Sequence, residues 1–427
     1  MNGKRIVITA LGSFGDIHPY IPIALELKSR GHSPVIVTSE GYREKIEGEG
    51  IEFIASRPRM PLFHERDEIQ RIVSKLMDVK TGAEELLKGI IMSSLREQYE
   101  DLDRATVGAD MLITHPITFA GPLVAQKKKL RWASSLLAPA TFLSVHDPIV
   151  VPNAPWASRL HFIPGFNRLM KGLMGKYTER WFQEVSDLRT ELGLPPDGHP
   201  LFKGMHSPEL VLALFSKVMT DAKPDWPMNT KITGFPFYDK FDMTPTPPEV
   251  QKFLDEGEPP IVFTLGTSAI WVAGDFYQES IKAVRKLEQR ALLLIGDARN
   301  MPPSPLPEGI AAFEYAPYSE VLPRAKAIVH QGGIGTTAQA LRAGKPTLIV
   351  PFSYDQPDNA ARIARLGVAR ILPRVKYRAD RVAKELGQLL HEPHYRQKAA
   401  TVAQIVQSEN GERTAADLIE GRLKKNE

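Results

Sequence analysis

The stretch VHQGGIGTTAQAL, residues 329–341, ends an apolar run and opens a helical one. It carries a histidine, three glycines within four residues and two threonines. Glycine lets a backbone pass close to a ligand because no Cβ intervenes. A helix start adds unpaired N–H groups and a partial positive charge, which suit a phosphate. The spacing predicts a helix from about Thr336, with His330 at the strand end adding one donor. The bland alternative is a strand–helix turn that binds nothing. The stretch is not a Walker A loop, since no lysine follows the glycines, and neither half of the chain carries GxGxxG.

Outward from this point, short apolar runs alternate with helical spacing. Residues 261–265, 291–295, 311–314, 327–330 and 347–350 read as buried strands. Upstream, residues 4–10, 34–38, 51–55, 111–114, 132–136 and 210–215 do the same. Helical stripes fall at 20–30, 65–78, 83–106, from 275 and at 415–423. Strand, helix, strand at this spacing implies parallel sheets. Pro236, Pro245, Pro247 and Pro248 mark a linker. The expectation is an N-terminal Rossmann-like domain (1–235), a linker (236–250) and a second Rossmann-like domain (251–407). A C-terminal helix (408–427) is expected to pack back on the first domain. The two α/β domains are expected to face each other across a cleft.

A chain of 427 residues exceeds what one core usually supports. At 43% hydrophobic and 24% charged residues it reads as globular. Cysteine is absent, which removes disulfides, thiolate metal sites and a cysteine nucleophile and fits the cytoplasm. The N-terminus does not read as a signal peptide, and no run of about 18 apolar residues is present. The net charge of +4 favours an anionic ligand or peripheral contact with an anionic membrane, and nothing points to nucleic acid or an obligate protein partner. The one DxD, Asp101-Leu102-Asp103, lies on a charged helical face and is assigned no metal.

Ligands of such sheets bind beyond the carboxyl ends of the strands. Besides residues 330–337, the unusual loops there are GSFGD (12–16), GTS (266–268) and PFSYDQPDN (351–359). Asp16 and Asp355 each read as helix caps when taken alone. Asp355 and Gln356 together can also accept from and donate to the hydroxyls of one sugar ring. Phe142, Trp156, Phe162 and Phe166 form an aromatic-rich stretch that suits either core or an apolar acceptor.

Residues 330–359 resemble the donor signature of family 1, GT-B-type glycosyltransferases, at matching spacing. GSFGDIHP resembles the GSRGDVxP loop of sterol and antibiotic glucosyltransferases, and residues 224–239 resemble the interdomain stretch of bacterial rhamnosyltransferase-like members. The resemblance implies a GT-B fold and inverting transfer of a hexose from UDP-glucose or a dTDP-sugar to a lipophilic acceptor, without metal or other cofactor. Ser268, His330, Gly332, Gly333, Gly335 and Thr336 would hold the diphosphate. Tyr315 and Ala316 would meet the base, and Asp355 and Gln356 the sugar. Asp16 would be the catalytic base, assisted by His18, with His115, Phe142 and His146 at the acceptor. The chain departs from the plant pattern at Gly333, Ile334 and Ala338. A nucleotide-sugar epimerase of this architecture and an NAD-dependent oxidoreductase are the alternatives.

Overall fold

The computed structural model describes residues 3–152, 154–239 and 246–424. Residues 240–245 of the expected linker, including Pro245, and 425–427 of the C-terminal segment lie outside the described residues. The chain divides into two compact units. The first holds the chain up to Ile149, Trp156–Phe237 and the stretch from Asn410 onward. The second holds Val150–Pro155 and Tyr238–Glu409. The short Val150–Pro155 segment therefore groups with the second unit, although it lies in the sequence range read as N-terminal domain. Asp358 Oδ1 accepts the Val150 N–H at 3.0 Å.

The first unit is built on a seven-stranded sheet: β1 (Arg5–Thr9), β2 (Ser33–Thr38), β3 (Glu52–Ala55), β4 (Met111–Thr114), β5 (Trp132–Leu136), β6 (Val211–Ala213) and β7 (Thr230–Ile232). Its order is β3-β2-β1-β4-β5-β6-β7, and every pairing is parallel. The second unit carries β8 (Ile261–Thr264), β9 (Ala291–Leu294), β10 (Ile310–Phe313), β11 (Ala327–His330), β12 (Thr347–Ile349) and β13 (Ala369–Ile371). Their order is β10-β9-β8-β11-β12-β13, again all parallel. The central strands are apolar on both faces because helices cover both sides, as parallel sheets require. In each unit the strand order reverses once: between β1 and β4, and between β8 and β11. At such a switch point the two flanking loops diverge and leave a crevice for a ligand.

Three local features differ from the sequence reading, each for a visible reason. Residues 83–106 form no single helix. An α-turn at Gly82–Glu84 passes into a π-helix (Glu85–Ile91), a 3₁₀ turn (Met92–Ser94) and then the helix Leu95–Ala105. Ser93 Oγ donates to the Gly89 carbonyl and Ser94 Oγ to that of Ile90, both at 2.7 Å, so side chains compete for the helical carbonyls. The GSFGD loop contains a helical turn, Phe14–Ile17, because Ser13 N–H donates to Asp16 Oδ2 at 2.7 Å. The edge strands β7 and β13 were not read as strands. Each has three residues and places a basic side chain at its centre.

The C-terminal helix Gly411–Leu423 packs against helix Tyr20–Ser29 in the first unit, burying Ala415, Ala416, Ile419 and Leu423. Arg30 pairs with Asp417 at 2.6 Å and Glu420 at 3.1 Å, and His32 Nε2 lies 3.0 Å from Glu420. A Cβ at Gly411 would come within 2.5 Å of the Phe235 backbone, so this entry point tolerates only glycine.

Candidate active site

In the second unit the loops after β8 and β11 flank the switch point. His330, the last residue of β11, is fully buried. Its Nδ1 accepts the Gly332 N–H at 3.1 Å, which leaves Nε2 as the protonated nitrogen. That Nε2 is buried and has no partner among the described residues. Burial lowers its pKa to about 3, so the ring is neutral. Gly332 has φ +89, and a Cβ there would meet Ile349 Cγ2 at 2.9 Å and the Gln356 carbonyl at 3.1 Å. The turn therefore depends on glycine for conformation and for space. Helix Ile334–Ala343 follows, with Gly333 at its N-cap. Glycine has no side chain to cap the first-turn N–H groups, so these remain available to an anion.

The same crevice contains a polar chain that the sequence did not reveal. Thr264 Oγ1 lies 2.6 Å from the Tyr318 hydroxyl. That phenol also bonds the Thr336 side chain and the Gly266 backbone, and burial raises its pKa. Gln331 Nε2 stands 3.4 Å from Thr336 Oγ1, while Gln331 Oε1 and Thr337 Oγ1 are buried without a partner. Ser268, half-buried, starts the 3₁₀ turn Ala269–Val272 beyond Gly266. Ser268, Thr336 and the His330 turn thus sit on the two loops of one switch point. Tyr315 lies just past β10 and is half-buried, whereas Ala316 is fully buried and belongs to the core cluster with Val262, Leu292 and Ile328.

One strand further on, the loop after β12 leads into helix Gln356–Arg365. Gln356 Oε1 accepts the N–H groups of Phe352 (2.8 Å) and Ser353 (3.2 Å). Its carbonyl is committed to the loop, and only its NH₂ is left to donate to a ligand. Asp355 Oδ2 accepts from Asn359 Nδ2 at 2.7 Å, and the same Nδ2 donates to the Gly332 carbonyl at 3.0 Å. Asn359, fully buried, therefore links the sugar-binding candidate to the His330 turn. The sequence placed it in the motif but gave it no role. Tyr354 adopts φ +55, a left-handed conformation rare for a bulky residue, directly before Asp355.

In the first unit the loops after β1 and β4 flank the other switch point. Asp16 and His115 come from these two loops and meet there, with His115 Nε2 3.5 Å from Asp16 Oδ1. Asp16 Oδ2 also accepts from Ser13 Oγ at 3.0 Å. One oxygen thus holds the helical turn while the other faces the imidazole. His115 Nδ1 accepts the Ile117 N–H at 3.4 Å, which puts its ring proton on the nitrogen facing Asp16. His18 is half-buried. Burial and then the charge of Lys45 push its pKa well below the usual histidine value. Phe14 stacks on Phe63 (centroids 4.8 Å apart) and meets Tyr42 edge-on at 5.3 Å, forming an aromatic surface beside Asp16. Phe63 gave no signal in the sequence because no motif contains it.

Phe142 and His146 belong to another cluster. Phe142 is buried and stacks on Trp226 at 3.7 Å with the planes 10° apart, so its ring is part of the core. His146 is exposed, and its N–H donates to Ser144 Oγ. Asp101 is paired with Arg57 and Arg104, consistent with a structural role for the DxD. An open groove of about 860 Å³ along Phe119, Arg189 and His199 contains none of the candidate residues.

Residues 6–96 match the glycosyltransferase family 28 N-terminal domain, and residues 279–419 match the erythromycin biosynthesis protein CIII-like C-terminal domain. The chain is 30% identical over 424 residues to O-mycaminosyltylonolide 6-deoxyallosyltransferase of Streptomyces fradiae, covering 97% of each protein. It is 28% identical to the sterol 3-beta-glucosyltransferase of Yarrowia lipolytica over 96% of this chain, but spans only 28% of that protein's length. Among solved structures it resembles the glycotransferase of kitacinnamycin (TM-score 0.73, 17% identity, 99% of this chain and 100% of that one). It also resembles the spinosyn rhamnosyltransferase SpnG complexed with thymidine diphosphate (TM-score 0.68, 15% identity, 98% and 100%). With two Rossmann-ordered sheets and an end-to-end relative at this identity, the chain belongs to the GT-B glycosyltransferases and is related to the macrolide glycosyltransferases and the sterol glucosyltransferases.

Proposed function

We infer that this enzyme transfers a hexose from a nucleoside diphosphate sugar, UDP-glucose or a dTDP-sugar, to a hydroxyl of a small lipophilic acceptor, with inversion and without metal. The observation that carries this reading is the buried His330 Nε2–H, which has no partner among the described residues and adjoins a glycine-capped helix start. A neutral imidazole donor and helical N–H groups stabilise charge developing on a departing diphosphate. Asp355, Gln356 and Asn359 would orient the sugar, and Tyr315 the base. In the first unit, Asp16 would take the acceptor proton as the new C–O bond forms and the bond to the diphosphate breaks. His115 would hold Asp16 in position, and the Phe14–Phe63 surface would suit an apolar acceptor.

Incubation with UDP-glucose or dTDP-glucose and a lipophilic alcohol, followed by NMR of the product, tests this. Transfer with inverted anomeric configuration, unaffected by EDTA, is expected, with Asp16→Asn slowed about 10²–10⁴-fold. Retention, or unchanged turnover in Asp16→Asn, would refute the assignment.

A further inference from the structure

The first unit exposes a helix face that none of the site residues above occupies. Helix Phe166–Thr178 turns its aliphatic side outward: Leu169, Leu173 and Tyr177 are 60%, 53% and 68% exposed. These positions recur every four residues and so share one face. On the opposite side Thr178 is buried, and Lys171 is half-buried over the Phe202 ring. The polarity is the reverse of an ordinary surface helix. Just upstream, Trp156 and Phe162 are 59% and 81% exposed. An outward apolar helix face with further exposed aromatic residues close by in sequence marks a candidate interaction surface.

Charge identifies what covers it. Residues 156–180 contain five Lys or Arg and one acid, Glu179. This excess equals the net charge of the whole chain, +4, so the rest of the molecule is neutral. Arg159, Arg168, Lys176 and Arg180 are exposed, and none forms an ion pair among the described residues. Outward aliphatic and aromatic side chains with unpaired cations beside them match a bilayer interface, where apolar groups enter the acyl boundary and cations meet anionic headgroups. We propose that helix Phe166–Thr178 and its upstream turn form a docking surface for an anionic lipid bilayer.

Co-sedimentation of the full chain with vesicles tests this. Binding to phosphatidylcholine vesicles containing phosphatidylglycerol is expected, with release at high salt and little binding to phosphatidylcholine alone. The double variant Leu169→Glu/Leu173→Glu should bind at least about tenfold more weakly, and Lys176→Gln about fivefold. Both should keep wild-type circular dichroism and the same thermal shift with UDP or dTDP. Equal binding to both vesicle types, or no binding to either, overturns the proposal. So does a dimer seen in sedimentation velocity that the double variant dissociates, which would assign this face to a second copy of the chain.

Discussion

His330 combines two properties that conflict in an ordinary core. Its ring is fully buried, yet one nitrogen has no partner, and such a group costs about 1–3 kcal/mol. A site that binds an anion recovers that cost when the ligand arrives. The same burial makes a pH prediction. In the native state burial lowers the imidazole pKa to about 3, whereas in the unfolded chain it returns to the ordinary histidine value of about 6.5. Below that value the unfolded state binds more protons, so this residue's contribution to stability falls as pH falls. Between pH 7 and pH 5 the wild type should lose about 2 kcal/mol more than His330→Gln in urea unfolding. Equal losses would mean that the ring is solvated. The strand-end positions of His330, Asp16 and Asp355 were legible in the sequence because each ends or follows a strand in a distinctive stretch. The placement of Tyr318, Gln331 and Phe63 beside them was not, because it comes from spatial neighbours that no local pattern encodes.

The candidate site elements are strand–turn–helix units, and their turns set the geometry. Gly332 binds β11 to the helix that follows, while Asn359 ties its carbonyl to the next helix. Gly332→Ala would add left-handed strain of about 1–3 kcal/mol and a contact at 2.9 Å with Ile349. A lower melting temperature and weaker nucleotide binding are expected together. Unchanged affinity would remove the turn from the binding site. Central strands were legible to within a residue or so because most are short, largely apolar runs, as β8 and β11 show. β7 and β13 were not, since short edge strands bury too little to show a period. The break after Gly82 was hidden because serine-to-carbonyl bonds, not composition, interrupt that helix.

At the scale of the whole molecule, the last helix completes the first unit although it follows the second in sequence. Ile419 and Leu423 bury side chains worth about 1.5–3 kcal/mol each. The Arg30–Asp417–Glu420 cluster fixes their register. Deleting residues 410–427 should leave the first unit sensitive to protease at 37 °C while the second still binds nucleotide. Uniform resistance would show the helix to be dispensable. We propose that neutral donors of the His330 turn hold a diphosphate. Calorimetric titration of UDP and dTDP, each against its monophosphate, into wild type and His330→Ala tests it most directly. The diphosphates should bind wild type more tightly, and His330→Ala should abolish most of that preference while remaining folded. A preference that survives intact in His330→Ala would remove His330 from the diphosphate site.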